Sequence, residues 1–150
     1  MRVLLFTTFF IILFKLDGYS QEKDTLQTEQ ILQIRYDRVS GGKYGMDQHL
    51  IITKDSILYN SNMPYYHVSA KAHIPNSPSM WLELIRLINI KEFDNIKNGE
   101  SLIKSDGEDE YICIQTPNKN HKEINGNFEY SIKPFHERIL IVLQYVESCL

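Results

Sequence analysis

The sequence lacks the composition of several large protein classes. Its 150 residues include two cysteines, five prolines and seven glycines. That content excludes collagen-like chains, disulfide-dense scaffolds and low-complexity chains. Basic residues are not in excess either, because the net charge is −3 and Lys and Arg are scattered among acidic residues. We therefore expect no nucleic-acid partner and no binding to anionic membrane surfaces.

Familiar catalytic and cofactor motifs are also missing. The chain has no GxSxG, P-loop, dinucleotide-binding glycine pattern, HExxH or CxxC sequence. Such patterns mark the nucleophile, phosphate, cofactor or zinc sites of many enzymes. The five histidines occur in none of these patterns. We therefore expect no cofactor, no metal ion and no catalytic residue.

The longest apolar run stands near the start and is short. Residues 3–14 (VLLFTTFFIILF) fall below the roughly 18 apolar residues that a membrane span needs. Small residues at Gly18 and Ser20 fit a signal-peptidase site before Gln21. A short N-terminal anchor or a buried first helix is the alternative. The predicted organisation is a cleaved signal peptide (1–20), a polar linker (21–28) and one periplasmic or secreted domain without a membrane span (29–150).

Both cysteines, Cys113 and Cys149, belong to the predicted exported domain. Thiols of exported proteins are exposed to oxidation, so one disulfide joining these two residues is one expectation. The alternative is that Cys113 is a small strand residue and that Cys149 lies in a frayed tail out of its reach.

Alternation of apolar and polar residues predicts an antiparallel sheet of about five to six strands. In the first strand Ile34 and Tyr36 share one face and Arg35 and Asp37 share the other. Short connections indicate that consecutive strands pair. The predicted strands cover residues 31–39, 48–53, 57–59, 65–74, 111–116 and 121–124.

Helical spacing replaces this alternation in two places. Ser77 is a favourable N-cap and Pro78 fits a first helical turn. The apolar residues that follow at helical intervals predict about three turns: Trp81, Leu84, Ile85 and Ile88. A second amphipathic helix is predicted over 134–147. The order βββ(β)-α-ββ-α, with both helices on one face of the sheet, predicts the α+β class.

A glycine-rich segment interrupts the first two predicted strands. Residues 40–45 (SGGKYG), called the glycine loop below, carry a basic and an aromatic side chain between glycines. Such side chains on a loop that a rigid sheet supports are common in binding surfaces. A wide turn whose tyrosine folds back on the sheet is the alternative. The candidate binding residues are Gly41, Gly42, Lys43, Tyr44 and Gly45.

A second aromatic candidate follows Pro64. Tyr65 and Tyr66 are adjacent, and strand alternation predicts that one of the two is buried.

The densest group of carboxylates is residues 106–110 (DGEDE), which we interpret as a solvated acidic turn. Alternating carboxylates also suit calcium. A calcium loop beginning at Asp106 needs a glutamate at its twelfth position, which Pro117 occupies here. The acidic turn nevertheless supports an alternative hypothesis, a small secreted hydrolase or metal-dependent module.

The chain resembles the emfourins, small bacterial inhibitors of thermolysin-like metalloproteases. The matching features are Ile34, Arg38, the glycine loop, Asp106 and Tyr111 before a strand, and Pro134 opening the last helix. The resemblance implies a protease inhibitor that uses its glycine loop against a protein target. The leader, the Ser20-Gln21 junction and the abundance of Ile, Lys and Asn also resemble small exported proteins of the Bacteroidetes group.

Together these features favour a non-enzymatic exported domain that binds a protein partner, with a protease as the implied target. A structural envelope protein is a further alternative, because such a role needs no sequence motif.

Overall fold

The structure is a computed structural model that describes residues 30–126 and 132–150. The predicted signal peptide (1–20) and linker (21–28) lie outside the described residues. Among the described helices, none has the length and apolar character needed to cross a membrane.

Six antiparallel strands form one open sheet in the spatial order β4-β3-β2-β1-β5-β6. The central strand pairs with neighbours on both sides, so that Tyr36 lies opposite Leu50 and Ile112. All three of these side chains are buried. The strands are Gln33–Ser40 (β1), Asp47–Thr53 (β2), Ser56–Met63 (β3), Val68–Pro75 (β4), Glu108–Gln115 (β5) and Asn120–Ile124 (β6).

Helices cover one face of this sheet. They are Pro78–Arg86 (α1), Ile90–Asp94 (α2) and Lys133–Glu147 (α3). Apolar side chains of all three helices join the inward residues of the strands in one core, with Trp81, Phe93 and Phe135 among the largest. The other face carries Arg35 and is covered by none of the described helices. It is called the uncovered face below. The architecture confirms the predicted α+β class.

The first predicted helix is divided in two. Ser77 does cap α1, since its side chain accepts a hydrogen bond from the Met80 amide at 3.1 Å. The helix then ends at Arg86 instead of reaching Ile88. The side chain of Asn89 then accepts hydrogen bonds from the backbone amides of Lys91 and Glu92 and caps the start of α2.

The prediction of an acidic turn at 106–110 is wrong for three of its five residues. Strand β5 already begins at Glu108, which lies opposite Ser40 of β1. Only Asp106, with φ of 58°, and Gly107 remain in the turn. Pairing along the whole of β1 extends the strand through residues that are unfavourable for strands by themselves.

The structure has both cysteines as free thiols. Cys113 lies opposite Arg35 on the uncovered face, whereas Cys149 follows α3 on the covered side. In this conformation the sheet separates the two thiols.

Candidate functional site

Backbone contacts fix the glycine loop against the segment that precedes β5. The amide of Gly41 donates to the carbonyl of Gly107 at 2.8 Å. A Cβ at position 41 would overlap the carbonyl oxygen of Ile103. Gly42 has φ of +77°, which favours glycine. Two glycines of the loop are therefore explained by close packing and by backbone conformation.

A second turn lies beside this loop. Residues Pro64–Tyr66 form a single 3-10 turn, and His67 closes it with φ of 52°. Asp47 at the start of β2 lies opposite Asn62 near the end of β3. The β1–β2 and β3–β4 connections therefore meet at the same end of the sheet.

Three tyrosine rings from the two turns come together there. Tyr44 contacts Tyr65 edge to face with ring centroids 4.5 Å apart, and Tyr65 contacts Tyr66 in the same manner at 5.1 Å. Tyr44 and Tyr66 are more nearly parallel at 6.2 Å. The three side chains, called the tyrosine cluster below, remain 59%, 43% and 57% exposed for Tyr44, Tyr65 and Tyr66.

Lys43 adds a positive charge to the tyrosine cluster. Its Nζ lies 4.8 Å from the ring centroid of Tyr65 and 5.7 Å from that of Tyr44. These are distances at which a cation is attracted to an aromatic face. The lysine therefore bridges the two turns while it stays on the surface.

The predicted site residues have two different roles. The three glycines shape the loop, while Lys43 and Tyr44 stand at its surface. Tyr44 does not fold back into the core but packs on the other two tyrosines. The prediction that either Tyr65 or Tyr66 is buried is wrong, because both lie in the 3-10 turn rather than in a strand. Pro64 is the sequence signal for that turn, since proline is disfavoured within strands and fits the first position of a turn.

The carboxylates within the predicted acidic turn contact different partners. Glu108 pairs with Arg38 at 2.5 Å, and Glu110 accepts a hydrogen bond from the Tyr36 hydroxyl at 2.7 Å. The Nε2 atom of His136 lies 2.9 Å from the other oxygen of Glu110. Across residues 30–126 and 132–150, no three His, Cys, Asp or Glu side chains are grouped as a metal site would require.

Asp109 is fully buried beneath the segment before β5. Burial by itself raises the pKa of its carboxyl group, but four hydrogen bonds outweigh it and hold the pKa at about 2. The donors are the Ser101 hydroxyl, the Leu102 amide, the Asn125 side chain and the Tyr111 hydroxyl. The contacts tie β5 to the preceding segment, which in turn contacts the glycine loop. They indicate a structural role for Asp109.

A second buried carboxylate, Glu123, lies on the covered face. It is 1% exposed, and its Oε2 accepts a hydrogen bond from the Gly126 amide at 2.6 Å. Burial raises the pKa of Glu123 to about 7, because the hydrogen bond from the Gly126 amide and the interaction with His136 lower it only in part. The group is enclosed in the core and faces no described cleft.

Comparison with known proteins does not assign a family. The chain matches no model of a known protein family and no curated protein sequence.

Proposed function

We propose that this protein is a non-enzymatic binding domain whose contact surface for a protein partner is the tyrosine cluster with Lys43. The observation that carries the proposal is the packing of three exposed tyrosines from two separate turns at one end of a rigid sheet. Tyrosine combines a large apolar ring with a hydroxyl and loses little conformational entropy on binding. It is enriched among the residues that contribute most to protein interfaces.

The contacts that hold the tyrosine cluster in place favour recognition over catalysis. The glycine loop is fixed by the Gly41 backbone contact, and the second turn is fixed by the paired strands β3 and β4. The rings also contact each other, so less side-chain freedom is left to lose when a partner binds. The ammonium group of Lys43 lies over two of the rings, those of Tyr44 and Tyr65.

The resemblance of the glycine loop to emfourins supplies the class of partner to test first, a thermolysin-like metalloprotease. Inhibition predicts that protease activity falls to a plateau as the mature protein is added. Replacing Lys43 and Tyr44 by alanine should then weaken the inhibition. Unchanged protease activity at a large excess of the protein would exclude this class and leave the binding proposal in place.

The binding proposal itself is tested by capture from culture medium or periplasm. The variant carries serine at the three positions of the tyrosine cluster. Tyr145→Ser is a matched control, because Tyr145 is 48% exposed on α3 and is not a member of the cluster. A partner that binds the wild type and the control should bind the cluster variant at least tenfold more weakly. A partner that binds all three proteins equally would contradict the proposal.

A further inference from the structure

Strand β4 is the outermost strand at one edge of the sheet and continues directly from the tyrosine cluster. Within the described residues it pairs with β3 on one side and with no strand on the other. A free strand edge presents N–H and C=O groups that are ready to pair with another extended chain. The chemistry of this edge therefore selects an extended peptide.

The register identifies the free groups. The Asn76 amide donates to the Asp55 carbonyl at 3.0 Å, so this pair is a hydrogen-bonded one. Hydrogen-bonded and non-hydrogen-bonded pairs alternate along an antiparallel ladder. Counting back from that pair, the residues whose N–H and C=O groups point away from β3 are Ser69, Lys71 and His73.

The opposite edge of the sheet is not available in the same way. The Ile124 amide of β6 donates to the Asn98 side chain at 2.9 Å, and the Ile124 carbonyl accepts from Gly99 at 2.7 Å. The segment before β5 therefore occupies part of that edge. In β4 all three residues with outward groups are exposed.

Side chains on β4 define what an added strand would carry. Lys71 and His73 lie on the uncovered face, beside Asn60 and Leu58 of β3, which carry no negative charge. On the other face Ala70 and Ala72 pack partly against the core. An added strand with acidic side chains over Lys71 and apolar side chains beside the alanines complements both faces.

A second copy of the chain fits this edge less well. The antiparallel register that uses all three outward residues of both copies is centred on Lys71. It would place the two Lys71 ammonium groups directly opposite each other, and like charges in that position are destabilising. The charge of the edge therefore favours a different chain.

We propose that β4 binds an extended segment of the partner as a seventh strand, and that this segment alternates acidic and apolar residues. The inference rests on the proposed function, since it describes how the partner that contacts the tyrosine cluster is held. Backbone hydrogen bonds supply affinity in such strand addition, and alternate side chains supply specificity.

The probe is an acetylated and amidated eight-residue peptide of alternating glutamate and valine. Amide hydrogen exchange is followed by NMR in the mature protein with and without the peptide. We expect exchange of the Ser69, Lys71 and His73 amides to slow by about tenfold or more at saturation. A peptide of alternating lysine and valine should have no such effect.

Two variants separate backbone pairing from charge. Lys71→Pro removes one outward N–H without breaking a bond to β3 and should abolish protection, because proline is tolerated at a strand edge only where its nitrogen faces solvent. Lys71→Gln keeps the N–H and should bind the acidic peptide several-fold more weakly. Circular dichroism and unchanged exchange of Ala70 and Ala72 verify that both variants are folded.

The remaining outcomes contradict the inference. The inference is overturned if millimolar peptide leaves exchange of the three outward amides unchanged. It is also overturned if these amides are already protected without peptide. Protection that grows with protein concentration alone would assign the edge to a second copy. If the edge is not protected while the cluster variant still loses its partner, the strand proposal fails and the proposed function stands. If the edge is protected while the partner binds the cluster variant as tightly as the wild type, the proposed function fails instead.

Discussion

The ring of Tyr44 packs edge to face on the ring of Tyr65, with centroids 4.5 Å apart, although the two belong to different turns. The contact joins the glycine loop to the 3-10 turn that precedes β4. Two surface features that are separate in the sequence therefore form one aromatic surface, and this is the part of the molecule that the proposed function uses.

Gly41→Ala should destabilise the fold, because the new methyl group would overlap the backbone carbonyl of Ile103. Relief requires the loop to move away from the Gly107 carbonyl and to lose a 2.8 Å hydrogen bond. We expect a loss of about 1–3 kcal/mol in the free energy of unfolding. Lys43→Ala, in the same loop but exposed, is the control and should change it by less than about 1 kcal/mol. Equal stability of the two variants in urea unfolding would show that the contact with Ile103 is not tight.

Asp109 should stabilise the protein at neutral pH and lose that effect in acid. Its pKa falls from an ordinary value of 3.8 to about 2 on folding. The unfolded chain therefore takes up a proton first, and stability drops as the pH falls from about 4 toward 2. Asp109→Asn should lower the free energy of unfolding at pH 7 by about 2 kcal/mol and flatten its pH dependence below pH 4. If the free energy of unfolding of the variant fell below pH 4 as steeply as that of the wild type, Asp109 would not be the group responsible.

Glu123 should give the stability of the protein the opposite pH dependence. Its pKa rises on folding from an ordinary value of 4.5 to about 7, so the folded protein holds a proton that the unfolded chain has released. Stability should therefore decrease between about pH 4.5 and pH 7. Glu123→Gln keeps an acceptor for the Gly126 amide and carries no charge. Urea unfolding across this pH range should show the decrease in the wild type and not in the variant.

The cysteines should react as two separate thiols. Cys149 is exposed, whereas Cys113 is half-buried and burial raises the pKa of its thiol. A maleimide should therefore label Cys149 of the native protein faster than Cys113, because the thiolate is the reactive form. Cys149→Ser should remove the fast phase only. If neither residue reacts until a reductant is added, the two thiols are joined in the disulfide that is one of the sequence-based expectations.

Much of the fold could be predicted because the spacing of apolar residues along the sequence shows which side chains are buried. The alternation at Ile34 and Tyr36 gave the inward face of β1, and Ser77 with Pro78 gave the start of α1. In each case the side chains that decide the structure stand within a few residues of each other. The start of β5 could not be predicted in this way, because pairing with β1 extends the strand through Glu108, Asp109 and Glu110.

The candidate site was predictable only in its parts. The sequence indicates the glycine loop, but alternation predicted a strand over 65–74 where the structure has a second turn after Pro64. It does not indicate that Tyr44 contacts Tyr65, because that contact depends on the register of three strands. One residue of slippage between β2 and β3 would change which residues stand at this end of the sheet.

The most direct test of the binding surface is a hydrogen-exchange footprint on the complex with a captured partner. Peptides that cover residues 41–46 and 64–67 should exchange more slowly in the complex than in the free protein. Peptides around Tyr145 on α3 and around the β2–β3 turn at residues 54–55 should not change. A footprint confined to α3 or to the β2–β3 turn would contradict the assignment of the tyrosine cluster as the contact surface.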